Sequence, residues 1–213
     1  MSLILEAVSQ VVRHLPFMPP AVLKYWTDSK NLPRLKRALA QALCLLDAFP
    51  VWKTIKLGTG ITTGAGFRDA LIRGGTELGE SILPYILNHP MFEVAKQPAE
   101  LDLVALTLKD LGLDCNADYL EISLRAKEVG FVRVPREGGP QLRLQYLDQP
   151  EGENLIVAME PLPMDNGGYS AIFELGNHGR LYLRGVVATR RAHTITFKDQ
   201  AKSRWVFACP RKQ

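Results

Sequence analysis

Basic and aromatic side chains are interleaved over the last stretch of the sequence. Residues 180–213 hold nine basic side chains and one acidic one. The candidate binding residues here are Arg180, Arg184, Arg190, Arg191, Lys198, Arg204, Tyr182 and Trp205. On such strands the basic side chains can contact phosphates or acidic protein segments, and the aromatic rings can stack on bases. The pattern predicts a surface that binds a protein or a nucleic acid; core aromatics beside solvated arginines are the alternative interpretation.

Carboxylates are concentrated just before this basic stretch. Residues 99–179 hold fourteen acidic and six basic side chains. The candidate cluster is Asp148, Glu151, Glu153, Glu160 and Asp165. Two carboxylates that face each other across a cleft support glycosidase-like hydrolysis. A carboxylate-dependent hydrolase is therefore the alternative function, whereas solvated charge on turns is the simpler interpretation.

Complete motifs for catalysis or metal binding are not found in the sequence. The glycine-rich stretch Gly58–Gly66 follows a predicted strand, but its spacing matches neither a dinucleotide fingerprint nor a phosphate loop. The histidines lie far apart, at His14, His89, His178 and His193. No Gly-x-Ser-x-Gly elbow is present. We therefore predict no catalytic residue, metal or cofactor, and the sequence leaves open whether the protein is an enzyme.

The first 98 residues are predicted to be mainly helical. Apolar side chains recur at helical spacing over residues 3–14, 21–27 and 32–48, and prolines separate these segments. Apolar and polar side chains alternate over residues 51–57, which predicts a half-buried strand. Helices are predicted over residues 67–72 and 77–87, and a short strand over residues 92–94. The segment Gln97–Glu100 is predicted to be a linker or domain edge, and the predicted domains cover residues 1–98 and 99–213.

The second half is predicted to be rich in β-structure. Residues 101–106 are a predicted strand, and 118–129 a predicted amphipathic helix. Further segments with strand character are 131–134, 141–146, 154–160, 169–175, 180–187, 193–197 and 204–209. Turn residues between them predict an antiparallel meander. The predicted fold class is α+β: a helical N-terminal part, then an antiparallel β-meander, as an open sheet or partial barrel, with one packed amphipathic helix.

One structural pair is expected within this sheet. Leu142, Leu144 and Tyr146 alternate with polar residues, so residues 141–146 are expected to place one apolar face on the core. Arg143 is then predicted to pair with Glu160 on a neighbouring strand. If the pair is buried, removing one partner leaves an isolated charge, which costs ~3–5 kcal/mol.

Several segments of residues 101–211 carry a resemblance. They are Thr107–Leu113, Tyr119–Ile122, Arg125–Gly130, Gly139–Tyr146, Asp148–Pro150, Ala158–Pro161 and Arg204–Phe207. These segments resemble a family of uncharacterised bacterial proteins with no established activity. The resemblance implies a bacterial origin and one structural unit over this region, and it brings no cofactor or catalytic residue.

Composition limits the class of protein. Apolar residues make up 46% of the chain and charged residues 23%, close to globular averages. No apolar run approaches the ~18 residues of a membrane helix, so no membrane partner is expected. Three cysteines without a paired spacing favour the cytoplasm. The leading prediction is a non-enzymatic interaction module that binds protein or nucleic acid through the β-rich C-terminal region.

Overall fold

The computed structural model describes residues 49–114, 117–164, 170–188 and 203–210. Contacts divide the chain into two compact units, residues 1–50 with 128–130, and residues 51–127 with 131–213. The second unit holds the sheet and the helices described below, apart from the last residue of one helix. The predicted helices over residues 3–14, 21–27 and 32–48 lie outside the described residues.

Seven strands and four helices follow one another along the described chain. Their order is β1 (Lys53–Leu57), α1 (Gly64–Arg73), β2 (Glu77–Leu78), α2 (Ile82–Asn88), β3 (Ala99–Leu106), α3 (Tyr119–Glu128), α4 (Gly138–Gln145), β4 (Asn154–Pro163), β5 (Ser170–Asn177), β6 (Leu181–Ala188) and β7 (Arg204–Ala208). In the described part, no helix is long and apolar enough to cross a membrane.

The strands form one mixed sheet, so the predicted antiparallel meander is wrong. Their order across the sheet is β1-β3-β7-β4-β5-β6-β2. β4 pairs with β7 in parallel, and β2 pairs with β6 in parallel, whereas the other pairs are antiparallel. Only β4, β5 and β6 are consecutive neighbours, because β7 lies between β3 and β4. The sheet also includes β1, which lies before residue 98; the predicted domain boundary there stays a prediction.

Helices cover both faces of the sheet. Phe173 and Glu174 are consecutive on β5 and therefore point to opposite faces. A Cβ on Gly139 of α4 would lie 2.3 Å from the Phe173 ring, so α4 packs on that face. On the other face Tyr119 of α3 packs against Trp205 of β7, with ring centroids 5.8 Å apart. The strands at the centre, β4 and β5, are consequently buried on both sides.

Local sequence explains several of these elements. The Asp118 carboxylate accepts the Glu121 N–H at 2.8 Å and caps α3. Thr107 and Asp110 form the reciprocal bonds of a capping box, with Thr107 N–H donating to Asp110 at 2.8 Å. The predicted helix over residues 77–87 is partly wrong, because Glu77–Leu78 join the sheet and α2 begins at Ile82. The predicted strand over 92–94 is also wrong.

Candidate anion-binding cleft

Two of the predicted binding arginines are engaged with carboxylates. Arg184 on β6 lies directly across from Glu174 on β5 and donates through Nε at 2.8 Å. Arg204 on β7 lies 3.2 Å from a Glu153 oxygen through Nη1, and its Nη2 donates to the Ala105 carbonyl at 3.1 Å. These two cations are therefore engaged in ion pairs that help to hold the sheet together.

The two aromatic residues predicted to take part in binding, Tyr182 and Trp205, have structural roles in the sheet. Trp205 is only 1% exposed. The Tyr182 hydroxyl lies within hydrogen-bond distance of Asn154, at 3.1 Å, and of Glu174, at 3.2 Å. Arg180 is exposed in the turn after β5. The remaining predicted residues, Arg190, Arg191 and Lys198, lie outside the described residues.

The predicted carboxylate cluster is distributed among separate partners. Asp148 lies 3.7 Å from Lys53. Glu153 accepts the Tyr146 hydroxyl at 2.8 Å in addition to binding Arg204, and Glu160 pairs with Arg133. Glu151 is exposed on a turn, and Asp165 lies outside the described residues. Among residues that the structure does describe, no group of His, Cys, Asp and Glu side chains could hold a metal ion.

Arg143 occupies a different place from the one predicted. Residues 138–145 form helix α4, so the strand expected over 141–146 is wrong, and with it the basis for pairing Arg143 with Glu160. The Arg143 side chain is fully buried. It donates to the Gln149 side chain and to the carbonyls of Tyr146 and Gly176. Burial lowers the pKa of Arg143 to about 10.

A cleft of about 410 Å³ opens between β1 and the segment that precedes α4. Its walls are Leu57 at the end of β1, residues 93–95, residues 133–137, and Glu160 on β4. Volumes of this size are typical of sites that bind small ligands or single side chains. Two arginines from one short segment, Arg133 and Arg136, line it together with three carboxylates, Glu93, Glu137 and Glu160.

The segment that carries these arginines is anchored beside β4. Val134 is buried, its N–H donates to the Ala158 carbonyl at 2.8 Å, and it forms a parallel bridge with Met159. Pro135 follows and favours an extended backbone at Val134. Arg133 and Arg136 therefore flank a fixed core residue, and both reach Glu160.

Arg136 is held by neutral groups. Its Nε donates to the Glu160 carbonyl at 3.3 Å, and its Nη1 donates to the Met91 carbonyl at 2.9 Å. No carboxylate of the described ranges lies within ion-pair distance of its guanidinium. A guanidinium has five N–H donors, so two bonds leave three available. Arg136 thus presents a fixed positive charge to the cleft.

Glu137 fixes the walls of the cleft. Its side chain is 1% exposed, and one carboxylate oxygen accepts the Gly58 N–H at 2.7 Å. The other oxygen accepts the Ala95 N–H. A single buried carboxylate thus joins the glycine-rich loop after β1 to the wall at Ala95. The Gly58 N–H, which a phosphate cradle would use, is already engaged.

Arg133, Arg136 and Glu137 are not among the site residues predicted from the sequence. The available signal was Arg133-Val-Pro-Arg136, two cations around a buried residue and a proline. A predicted strand over 131–134 would have placed Arg133 on an exposed face, where a solvated charge is the ordinary interpretation. The hydrogen bonds in the structure show that both arginines meet the same residue of β4, Glu160.

Comparisons with models of known protein families, with curated proteins and with solved structures found no match to this chain. The resemblance to uncharacterised bacterial proteins stays a prediction.

Proposed function

We propose that the protein is a non-enzymatic interaction module that binds an acidic segment of a partner protein, with a carboxylate held by Arg136. The observation that carries this proposal is the guanidinium of Arg136, which is bonded to two carbonyls and belongs to a residue that lines the cleft. Carbonyls orient the guanidinium without neutralising its charge. Carboxylates bind guanidinium through strong, charge-assisted hydrogen bonds.

A protein partner is favoured over a nucleic acid. Binding of single strands requires a row of cations and exposed rings on which bases stack. Arg184 and Arg204 are paired with Glu174 and Glu153, and Trp205 is buried. A cleft of about 410 Å³ suits one or two carboxylates better than a continuous phosphate backbone. We place the module in the cytoplasm, as the unpaired cysteines of the sequence favour.

The hydrolase alternative lacks a supporting observation of the same kind. Asp148, Glu153 and Glu160 are paired with Lys53, Arg204 and Arg133 respectively. Three carboxylates that neutralise three separate cations do not form the opposed pair that glycoside hydrolysis uses.

The test measures fluorescence polarisation of a labelled oligoglutamate peptide at low salt. We expect Arg136→Gln to weaken binding by about tenfold to a hundredfold, because it removes charge-assisted bonds worth ~1.5–3 kcal/mol. Arg73→Gln, an exposed arginine at the end of α1, is the matched control and should bind like the wild type. Equal binding by wild type and Arg136→Gln would overturn the proposal.

A second arm separates the two classes of partner. Labelled oligothymidine of the same formal charge is titrated against the wild type and against Arg180→Gln. We expect weaker binding than for the peptide and no effect of Arg180→Gln. Tighter, strongly salt-dependent binding that Arg180→Gln reduces would favour the nucleic-acid surface predicted from the sequence instead.

A further inference from the structure

The wall of the cleft that contains Glu93 is anchored at two points. Nη1 of Arg136 donates to the Met91 carbonyl at 2.9 Å. The Glu137 carboxylate accepts the Ala95 N–H. The two anchoring residues are consecutive in the chain, and Glu93 lies midway between the two anchored positions. Two residues of chain span at most ~7 Å, so the backbone of Glu93 is held close to the Met91 carbonyl that Arg136 binds.

Glu93 carries a negative charge that no cation of the described chain neutralises. The residue is exposed and lines the cleft together with Arg136. None of the ion pairs formed between described residues includes the Glu93 carboxylate or the Arg136 guanidinium. The cleft therefore contains an unpaired cation and an unpaired anion that are too far apart to pair with each other.

The other charged groups of the cleft are already engaged. Arg133 and Glu160 form an ion pair with each other. The buried Glu137 carboxylate accepts two main-chain N–H groups. Three carboxylates and two guanidinium groups line the cleft, so its formal charge is slightly negative. A second anionic group on a ligand would be repelled there, whereas a ligand with one anion and one cation complements both unpaired charges.

We infer that the cleft binds a carboxylate and an ammonium group together, the carboxylate on Arg136 and the ammonium on Glu93. This inference rests on the proposed function and specifies the acidic segment of the partner, which carries a lysine next to the acidic residue. A lysine ammonium is a compact charge on a flexible four-carbon stem, so it can reach a carboxylate over a range of separations. Glu93 also repels an anion at the second position, so attraction and repulsion both contribute to selection.

The test compares three peptides that contain Glu-Lys, Glu-Gln or Glu-Glu and are otherwise the same. Isothermal titration at low salt should show that the wild type binds Glu-Lys about threefold to fivefold more tightly than Glu-Gln, and Glu-Glu most weakly. Glu93→Gln should remove the preference for Glu-Lys over Glu-Gln. Glu77→Gln makes the same change of net charge on β2, at the other edge of the sheet from β1, and should keep the preference. A preference that survives Glu93→Gln, or its absence in the wild type, would contradict the inference.

Two further variants keep the outcomes separate. Glu93→Lys reverses the charge and should bind Glu-Glu more tightly than Glu-Lys; the same order as in the wild type would mean that this position does not select the ligand. Arg136→Gln should weaken binding of all three peptides. If it does so while the wild type binds Glu-Lys and Glu-Gln alike, selection by Glu93 is wrong and the proposed function stands. If Arg136→Gln binds every peptide like the wild type, the proposed function itself fails.

Discussion

Glu174 on β5 and Arg184 on β6 are direct cross-strand neighbours, and Nε of Arg184 lies 2.8 Å from Oε1 of Glu174. The Glu174 side chain is 3% exposed, whereas that of Arg184 is 53% exposed. The Arg184 side chain is thus partly exposed to solvent and is also the counter-ion of a buried carboxylate. A surface position in the sequence pattern therefore has a structural role in the sheet.

Replacing this arginine should destabilise the fold. We expect Arg184→Gln to lower the free energy of unfolding by ~1–3 kcal/mol, because it leaves the buried Glu174 carboxylate without its cation. Urea-induced unfolding measures the loss, with Arg73→Gln as the exposed control. The double variant Glu174→Gln/Arg184→Gln should lose less than the sum of the single losses. An unfolding midpoint equal to the wild type would contradict the structural role.

Gly139 has room only for a hydrogen atom. A Cβ there would lie 2.3 Å from the Phe173 ring, so Gly139→Ala should lower the free energy of unfolding by ~1–3 kcal/mol through overpacking of α4 on the sheet. Gly74→Ala is the matched control, since its Cβ would meet nothing closer than 3.4 Å. Thermal unfolding of both variants measures the difference. Similar melting temperatures for the two variants would mean that α4 does not pack closely on Phe173.

Tyr119 should make the fold sensitive to alkaline pH. Burial, above all other causes, raises the pKa of Tyr119 from 10.0 to about 12. The folded state favours the protonated phenol, so its contribution is complete below pH 10 and is lost as the pH rises towards 12. The loss is on the order of 3 kcal/mol.

Tyr119→Phe isolates that dependence. At about pH 8 the variant should be less stable by ~1 kcal/mol, because the hydrogen bond to the Met159 carbonyl is lost. Between about pH 10 and pH 12 the gap to the wild type should close and then reverse, since only the wild type has a phenol to ionise. Urea unfolding across this range is the measurement. A gap that stays constant would show that burial does not perturb the phenol.

Gln145 closes part of the β1 edge. Its Oε1 accepts the Lys56 N–H at 2.8 Å, and its Nε2 donates to the Lys56 carbonyl at 2.8 Å, as a neighbouring strand would. Gln145→Ala should lower the free energy of unfolding by ~1–2 kcal/mol, because two hydrogen bonds to Lys56 are lost. The variant should also self-associate more than the wild type, because the edge of β1 becomes available to another chain. Light scattering over a range of concentrations measures this, with the exposed Gln97→Ala as control. Unchanged scattering and stability would exclude a protective role.

Helix α4 shows why part of the fold could not be predicted from the sequence. Leu142, Leu144 and Tyr146 alternate over five residues, which is too short a stretch to distinguish a strand from a buried helix. The helical period is visible only with Gln141 and Gln145, whose polar side chains interact with each other and with the loop and edge of β1. Their partners lie more than eighty residues away, so the sequence alone gives no reason to prefer that face.

The positions of the strands along the chain were easier to predict than the order in which the strands pair. Residues within β1, β3, β4, β5, β6 and β7 alternate or have strand composition, and each was predicted as a strand. Their pairing depends on side-chain packing between distant segments, and turn signals at Gly152 or Gly179 indicate only where the chain reverses. The candidate cleft has the same origin, since Arg133, Arg136 and Glu160 meet through a single bridge beside β4.

The position of β7 has a consequence for how the chain is assembled. Residues 204–208 join the β1–β3 pair to the group formed by β4, β5, β6 and β2. During synthesis the two groups can form early, but the strand that fuses them emerges from the ribosome last among the seven. Until β7 pairs with them, the edges of β3 and β4 stay available to other chains. Pairing between strands that are distant in sequence is inherently slow. A nascent chain that stalls before residue 204 would therefore carry two half-sheets instead of one.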